Sequence, residues 1–308
     1  MPQESSRVFM VRPAAFCFNE QTAVSNAFQS IPDERANLQS AAEAEFDAAI
    51  ERLASVGVDV WVVDDTTAPI KPDAVFPNNW ISTHTDGKVV LYPMHAPNRR
   101  LERRSDVVSE LCDKYEVTSV LDLSHYESQD RFLEGTGSIV FDHDTRVAYA
   151  CLSPRTDAGL LAELCQTLDY RPHTFHAVDG SGKEIYHTNV VMGIGSGFAV
   201  VCLDSVADAQ EMNSLRDSLE QGDKEVIPIT LDQMKSFAGN LLSIATGDGR
   251  QVVALSQTAY DALSEGQRQS ISKYAILLPL SIPVIESVGG GSVRCMIAQN
   301  FLPIMTVN

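Results

Sequence analysis

Short apolar runs come in pairs along this chain, split by polar turns. One pair reads NWISTHTDGKVVLYPM from Asn79, and a second reads GSIVFDHDTRVAYACLSPRTD from Gly137. A third reads NVVMGIGSGFAVVCLDSVAD from Asn189, and a fourth reads NLLSIATGDGRQVVALSQTAYDAL from Asn240. A fifth, SVRCMIAQNFLP from Ser292, is truncated. HTDGK, DHDTR, GIGSG and TGDGR are hairpin-turn compositions, so each pair predicts two antiparallel strands. The five starts are separated by 58, 52, 51 and 52 positions. Helical spacing fills the intervals: residues 37–56, ending before Gly57, and more weakly 100–115, 157–168 and 206–220. Extended apolar pieces, such as 58–63 and 282–285, follow the helices. No Pro/Ser-rich linker divides the chain. The pattern predicts an α/β protein, one closed domain over 1–308, built from about five ββαβ modules around a central axis.

Composition narrows the partners. The 308 residues carry 41 acidic and 23 basic side chains, a formal charge of −18. A pI near 4.7 argues against nucleic acid and anionic membranes, because phosphates would be repelled. A small substrate is not excluded, since its site can differ in sign from the whole. The N-terminal MPQESSRVFMVRPAAF lacks the basic and apolar regions of a secretory signal. The longest apolar stretch, 274–285, is too short to span a bilayer and contains two prolines. Six cysteines at 17, 112, 151, 165, 202 and 295 form no CxxC and no dense framework. They read as reduced thiols of a cytoplasmic protein, five of them inert core residues.

The repeat also locates a site. Polar residues gather where each module's first strand begins: Asn78-Asn79, Glu134 to Gly137, His187 to Asn189, Gly239-Asn240, and Gly289 to Cys295. In a closed ring these equivalent points converge near the axis. Each residue has a plainer reading. Cys295 after three glycines reads as a core cysteine behind a flexible turn, His187 as a structural histidine, and Glu134 as a strand-end carboxylate. Together they supply a nucleophile, a base and an orienter. Arg99, Arg100, Arg103 and Arg104 read either as a solvated helix face paired with Glu102 and Asp106, or as a carboxylate anchor. Arg155 carries the same two readings. His173 and His176 lack further ligands at metal-binding spacing and read as a surface strand. Asp142-His143-Asp144 reads as a hairpin turn. Gly193 to Gly197 lacks the helix and Lys-Ser/Thr of a phosphate loop. No metal and no cofactor is called for.

The motifs FPNNW at 76–80, YPM and NRRLERR within 92–104, LEGTGS at 133–138, LSPRTD at 152–157, YHTNVV at 186–191 and GGGSVRCM at 289–296 resemble the guanidine-modifying superfamily. That superfamily includes arginine deiminases, dimethylarginine dimethylaminohydrolases and amidinotransferases. The chain is most similar to its citrulline-utilisation hydrolase branch. The resemblance covers almost the whole chain and implies a five-bladed, pseudo-symmetric α/β propeller, the pentein fold. It implies Cys295 as nucleophile, His187 as general acid/base and Glu134 as the carboxylate beside the histidine. It implies Arg155 and Arg100 as holders of the substrate carboxylate, with Arg99 the alternative to Arg100. Asn79 and Asn189 stand where many relatives carry aspartates against the guanidinium.

Those two departures suggest a neutral ureido substrate. Asparagines keep hydrogen-bonding amides but remove two charges. The expected function is therefore a cysteine-dependent hydrolase of C–N bonds at the ureido or guanidino end of a citrulline- or arginine-type amino acid. Arginine deiminase or dihydrolase, dimethylargininase, amidinotransferase and a catalytically silent amino-acid-binding propeller remain alternatives. The expected partner is a small amino acid, with no nucleic acid or membrane and with homo-oligomerisation left open.

Overall fold

In the computed structural model, which describes residues 2–31 and 37–305, the strands form five three-stranded sheets. Four follow one plan. Ile81–Thr83 pairs antiparallel with Lys88–Leu91, Val140–Asp142 with Val147–Cys151, Met192–Gly195 with Phe198–Val201, and Leu242–Ala245 with Gln251–Ser256. After a helical segment the chain returns parallel to the second strand, at Ser119–Asp122, Arg171–Phe175, Glu225–Pro228 and Ile276–Leu280 respectively. Each unit is thus ββαβ. The truncated fifth repeat finds its missing strand at the other end of the chain. Ala298–Gln299 pairs antiparallel with Arg7–Arg12, which pairs parallel with Asp59–Asp64 after the helix Leu38–Ser55. The chain ends thereby close a five-bladed α/β propeller.

Apolar periodicity explains the layers. Leu38–Ser55 buries Ala42, Phe46, Ala49 and Leu53, positions on one helical face. Val147–Cys151 and Phe198–Val201 are buried at every residue, as strands covered on both faces are. Each fully buried Val, Leu or Phe contributes about 1.5–3 kcal/mol. Asp157 and Asp208 cap the helices Ala158–Leu168 and Ala209–Gln221 by accepting from backbone N–H groups. Among the described residues no helix is long and apolar enough to cross a membrane.

Two predicted elements differ. The helix expected over 100–115 is broken into a 3-10 segment, Pro97–Glu102, and the helix Ser105–Lys114. Arg103 and Arg104 are extended between them. There Arg103 donates to Glu127 and to the Tyr92 carbonyl, and Arg104 pairs with Asp106. The strand expected at 282–285 lies earlier, at Ile276–Leu280. Pro279 is tolerated there because that strand is the sheet edge. Beyond it the chain turns helical around Pro283. The Glu45 carboxylate accepts from the Val284 and Ile285 amides and fixes that turn.

One feature of the blades positions the chemistry. A short helical turn precedes the first strand in four of them: Pro77–Asn79, Gly135–Ser138, Thr188–Val191 and Val293–Met296. Gly239-Asn240 holds the same place in the remaining blade. All of these turns lie at the same end of the inner strands, around the axis.

Candidate active site

A narrow cleft with about 280 Å³ of empty space opens among these turns. Cys295, His187, Asn79, Arg155, Arg99 and Asp73 line it. Glu134 lies directly behind His187. Its Oε2 is 2.7 Å from His187 Nε2, and its Oε1 accepts from the His95 amide at 3.0 Å. Glu134 is fully buried. Burial opposes its ionisation, but Arg155, His187 and Arg99 outweigh it and hold the carboxyl well below the usual range. Burial pulls His187 down to about 4, against the opposing pull of Glu134. The pair at neutral pH is therefore a carboxylate accepting from a neutral imidazole. With Nε2–H donated to Glu134, the free lone pair lies on Nδ1.

Nδ1 packs close against residue 137, which has to be glycine. A Cβ there would stand 2.7 Å from His187 Nδ1 and 2.4 Å from Asn79 Nδ2. Glycine 290 solves a second steric problem. It has φ +66°, and a Cβ would fall 2.4 Å from Gln29 Cγ and 2.6 Å from Asn26 Nδ2. The loop before Cys295 thus lies directly beneath the segment of Asn26 and Gln29. Asn26 Nδ2 and Gln29 Nε2 donate to the Gly290 and Val288 carbonyls.

The sulfur of Cys295 meets two amides. Asn189 Nδ2 and Asn240 Nδ2 each lie 3.4 Å from Sγ. Asn240 is locked in turn, accepting from the Arg294 amide and donating to the Asn189 carbonyl. Sγ makes no hydrogen bond to His187 among the described residues, although both line the cleft. Such contacts commonly tighten only with substrate bound.

The other end of the cleft is charged. Arg155 stacks over Tyr186, with Cζ 4.6 Å from the ring centroid. Its Nη2 donates to Ser25 Oγ and the Thr22 carbonyl, and its Nε has no partner. Arg99 makes a two-pronged pair with Glu102, donates to Asn79 Oδ1 at 2.8 Å and lies 3.7 Å from Asp73. Asp73 Oδ2 accepts from Asn19, while Oδ1 is buried without a partner. Burial raises Asp73, opposed by Arg99 and Arg155.

The geometry sorts the sequence candidates. Cys295, His187, Glu134, Asn79, Arg155 and Asn189 come together. Arg100 does not: its guanidinium is about one-third exposed, pairs with Glu127 and donates to the Met94 carbonyl. The 3-10 turn after Pro97 points adjacent residues to opposite sides, so Arg99 faces the cleft and Arg100 leaves it. Sequence reasoning missed Asp73 and the segment from Asn19 to Gln29, and it placed Asn240 among the converging strand starts without giving it a role. Asn240 carried a signal, since it occupies the repeat position of Asn79 and Asn189. Asp73 carried none.

The remaining candidates lie elsewhere. His176 is exposed and bonds Glu211, and His173 sits on an edge strand. Cys151, Cys165 and Cys202 are buried, and burial lifts the first two to about 12. Cys112 is exposed and Cys17 partly so, which corrects the expectation of five core cysteines: their helix and loop positions turn them outward. Among the described residues no group of three or more His, Cys, Asp or Glu could hold a metal ion.

The comparisons agree with this architecture. Residues 12–302 match the family described as N,N dimethylarginine dimethylhydrolase, eukaryotic. Among solved structures, apo ArgZ, an arginine dihydrolase from the ornithine-ammonia cycle in cyanobacteria, superposes with a TM-score of 0.76 at 17% identity. That match covers 97% of this chain and 41% of ArgZ, so the chain spans about two fifths of that protein. The N-terminal domain of ArgZ bound to substrate gives 0.75 at 16% identity, covering 97% and 99% of the two chains. A dimethylarginine dimethylaminohydrolase variant, as its adduct with S-methyl-L-thiocitrulline, gives 0.64 at 14% identity over 95% and 98%. Among curated proteins, none matches this chain.

Proposed function

The chain belongs to the N,N dimethylarginine dimethylhydrolase family, within the guanidine-modifying superfamily, and on that premise we propose that it is a cysteine hydrolase of an α-amino acid carrying a ureido or guanidino end. The observation that carries the reading is the set of unpaired atoms around the cleft. Asp73 Oδ1, Arg155 Nε, Asn79 Nδ2 and Asn189 Oδ1 are all buried without partners. Buried polar groups in proteins are as a rule hydrogen-bonded. Asp73 suits an α-ammonium, and Arg155 with Arg99 suits an α-carboxylate. Asn79 offers a donor on the cleft lining, and Asn189, whose Nδ2 reaches Cys295 Sγ, offers an unpaired acceptor.

This pair favours a ureido group over a guanidinium. Asn79 Oδ1 is committed to Arg99, so only its N–H groups are free. A ureido oxygen can accept from Asn79 while a ureido N–H donates to Asn189. A guanidinium is all donors and leaves the Asn79 amide unsatisfied. We rank citrulline first on this ground. Arginine hydrolysis is the second reading, favoured by the likeness to ArgZ.

The chemistry follows from the residues. His187 Nδ1 takes the thiol proton as Cys295 Sγ bonds to the ureido carbon. Glu134 stabilises the imidazolium so formed. His187 then returns that proton to the substrate δ-nitrogen as its C–N bond breaks, releasing ornithine and leaving a carbamoyl thioester on Cys295. Water, losing a proton to His187, cleaves the thioester to carbamate, which decomposes to ammonia and carbon dioxide. The amides of Asn189 and Asn240 hold the sulfur in place throughout.

The test is incubation with L-citrulline, L-arginine and dimethylarginine, with ornithine, citrulline, amines and ammonia measured by mass spectrometry. Ornithine from citrulline, absent with Cys295→Ala, is expected. Turnover that survives Cys295→Ala removes the reading.

A further inference from the structure

A second cavity lies behind Cys295 along the propeller axis. Ile81, Phe141, Ile194, Leu242 and Ala298 wall it, one from the inner strand of each blade. It shares no lining residue with the cleft. Phe301 on its lining is partly exposed, so the lining reaches the molecular surface. The cavity holds about 620 Å³ of empty space.

Arg294 lines this cavity while its neighbour Cys295 lines the cleft. Five cationic side chains are buried among the described residues: Lys71, Arg99, Arg155, Lys224 and Arg294. Lys71 pairs with Asp65, Arg99 with Glu102, Arg155 with Glu134 and Lys224 with Asp142. Arg294 alone has no carboxylate within ion-pair reach among the described residues. It is only 8% exposed, and among the described residues the hydrogen bond of its guanidinium is a long 3.4 Å contact to the Ile297 carbonyl. Burial pulls its guanidinium down to about 10, and the ionisable group acting against that pull is Cys295. A buried guanidinium without a counter-charge is costly and calls for an anion.

Two histidines, His84 and His143, also line the cavity. His84 Nε2 bonds Ser82 Oγ and His143 Nδ1 bonds the Tyr170 hydroxyl, so each ring keeps one nitrogen for another partner. Burial holds both rings neutral, at about 4 and about 3. Arg294 is the cation that lines the site, a planar fork; the Glu4 carboxylate lies behind the wall, accepting from Ser243 Oγ at 2.9 Å.

We propose that Arg294 and the axial cavity form a binding site for a small, planar, monovalent oxyanion, placed behind the nucleophile. Formate, nitrate and bicarbonate have that shape, and the guanidinium fork grips such groups with two parallel hydrogen bonds. Occupancy gives the Arg294 guanidinium the counter-charge that the fold does not supply, without entering the catalytic cleft.

The experiment titrates the intact chain with sodium formate, nitrate or bicarbonate at constant ionic strength. It reads the thermal midpoint. A saturable rise in midpoint is expected in the parent protein. The rise should vanish in Arg294→Gln and persist in Arg155→Gln, which removes the carboxylate anchor of the cleft instead. Ile194→Phe narrows the cavity and leaves its charge intact, so it weakens the effect even if Arg294→Gln fails to fold. No saturable effect in the parent protein overturns the proposal. So does an effect that follows Arg155 rather than Arg294, since that anion sits in the cleft. None of these outcomes depends on which amino acid the enzyme turns over.

Discussion

His187 and Glu134 stand 53 positions apart, in different blades, yet Nε2 and Oε2 meet at 2.7 Å in full burial. The contact fixes the imidazole tautomer and stores a negative charge where an imidazolium must form. Glu134→Gln keeps a hydrogen bond and removes the charge. Its kcat/KM should fall by about 10²–10⁴, the usual weight of general acid–base catalysis. Because burial sets His187 near 4, its base form is present above that pH. The acid limb of the parent kcat/KM profile should lie near pH 4 to 5, not near 6.5. A pH–rate series on both proteins checks this.

Gly137→Ala tests the approach of Asn79 to His187. The added methyl would stand 2.4 Å from one and 2.7 Å from the other, so both must move. Turnover should drop by about 10²-fold, as small misplacements of catalytic groups do. The far-ultraviolet spectrum should be unchanged. Parent-like kcat would show that this crowding is not part of the chemistry.

Much of this was legible in the sequence. The near-constant spacing of the hairpins carried the five blades, because each unit repeats the same apolar alternation. The polar residues at strand starts were legible for the same reason, since equivalent points of a ring converge. Arg99 and Arg100 were not separable, because which one turns inward depends on the 3-10 geometry after Pro97. Asp73 was invisible, as it enters the cleft from a loop with no periodic signal. Arg294 gave no hint either: a buried cation and an exposed one look alike in sequence, and only the missing carboxylate distinguishes it.

A stability measurement isolates His143. Its pKa lies at about 3 in the folded chain and near 6.5 when unfolded. Between those values the unfolded state binds the extra proton, so stability rises with pH through that window and is lost as pH falls. Buried carboxylates titrate in the same range, so the comparison is with His143→Phe. Relative to that variant, the parent should lose about 2 kcal/mol between pH 7 and pH 5. Parallel stability curves for the two proteins would contradict a neutral buried ring.

The carboxylate anchor is tested by Arg155→Lys. Lysine keeps the charge but loses the planar fork and the stacking on Tyr186. A charge-assisted hydrogen bond contributes about 1.5–3 kcal/mol, so kcat/KM should fall roughly tenfold to a hundredfold. Agmatine and other decarboxylated analogues should be poor substrates of the parent and should lose little more in the variant. Equal parent rates on an amino acid and its decarboxylated form would remove Arg155 from substrate binding.

Under the proposed function, the choice between a ureido and a guanidino substrate turns on Asn79. Its Oδ1 is held by Arg99 at 2.8 Å, which leaves only donors facing the cleft. Asn79→Asp places a second acceptor there and adds a negative charge beside Arg99. The new carboxylate can share Arg99 and still face a cationic guanidinium, whose desolvation it offsets. It meets a ureido oxygen as acceptor against acceptor, which is repulsive. One substitution therefore acts on the two substrates in opposite directions. The intrinsic chemistry pulls the other way in the parent, since a protonated guanidinium carbon is more electrophilic than a urea carbon. A ratio of kcat/KM values cancels concentration and folding errors shared by both substrates. The parent should favour citrulline, and Asn79→Asp should shift the ratio towards arginine by about tenfold or more, the discrimination of one buried hydrogen bond. Steady-state kinetics on both substrates with both proteins measure it. An unchanged ratio, or a parent that consumes arginine and ignores citrulline, would mean that the asparagines do not set the preference.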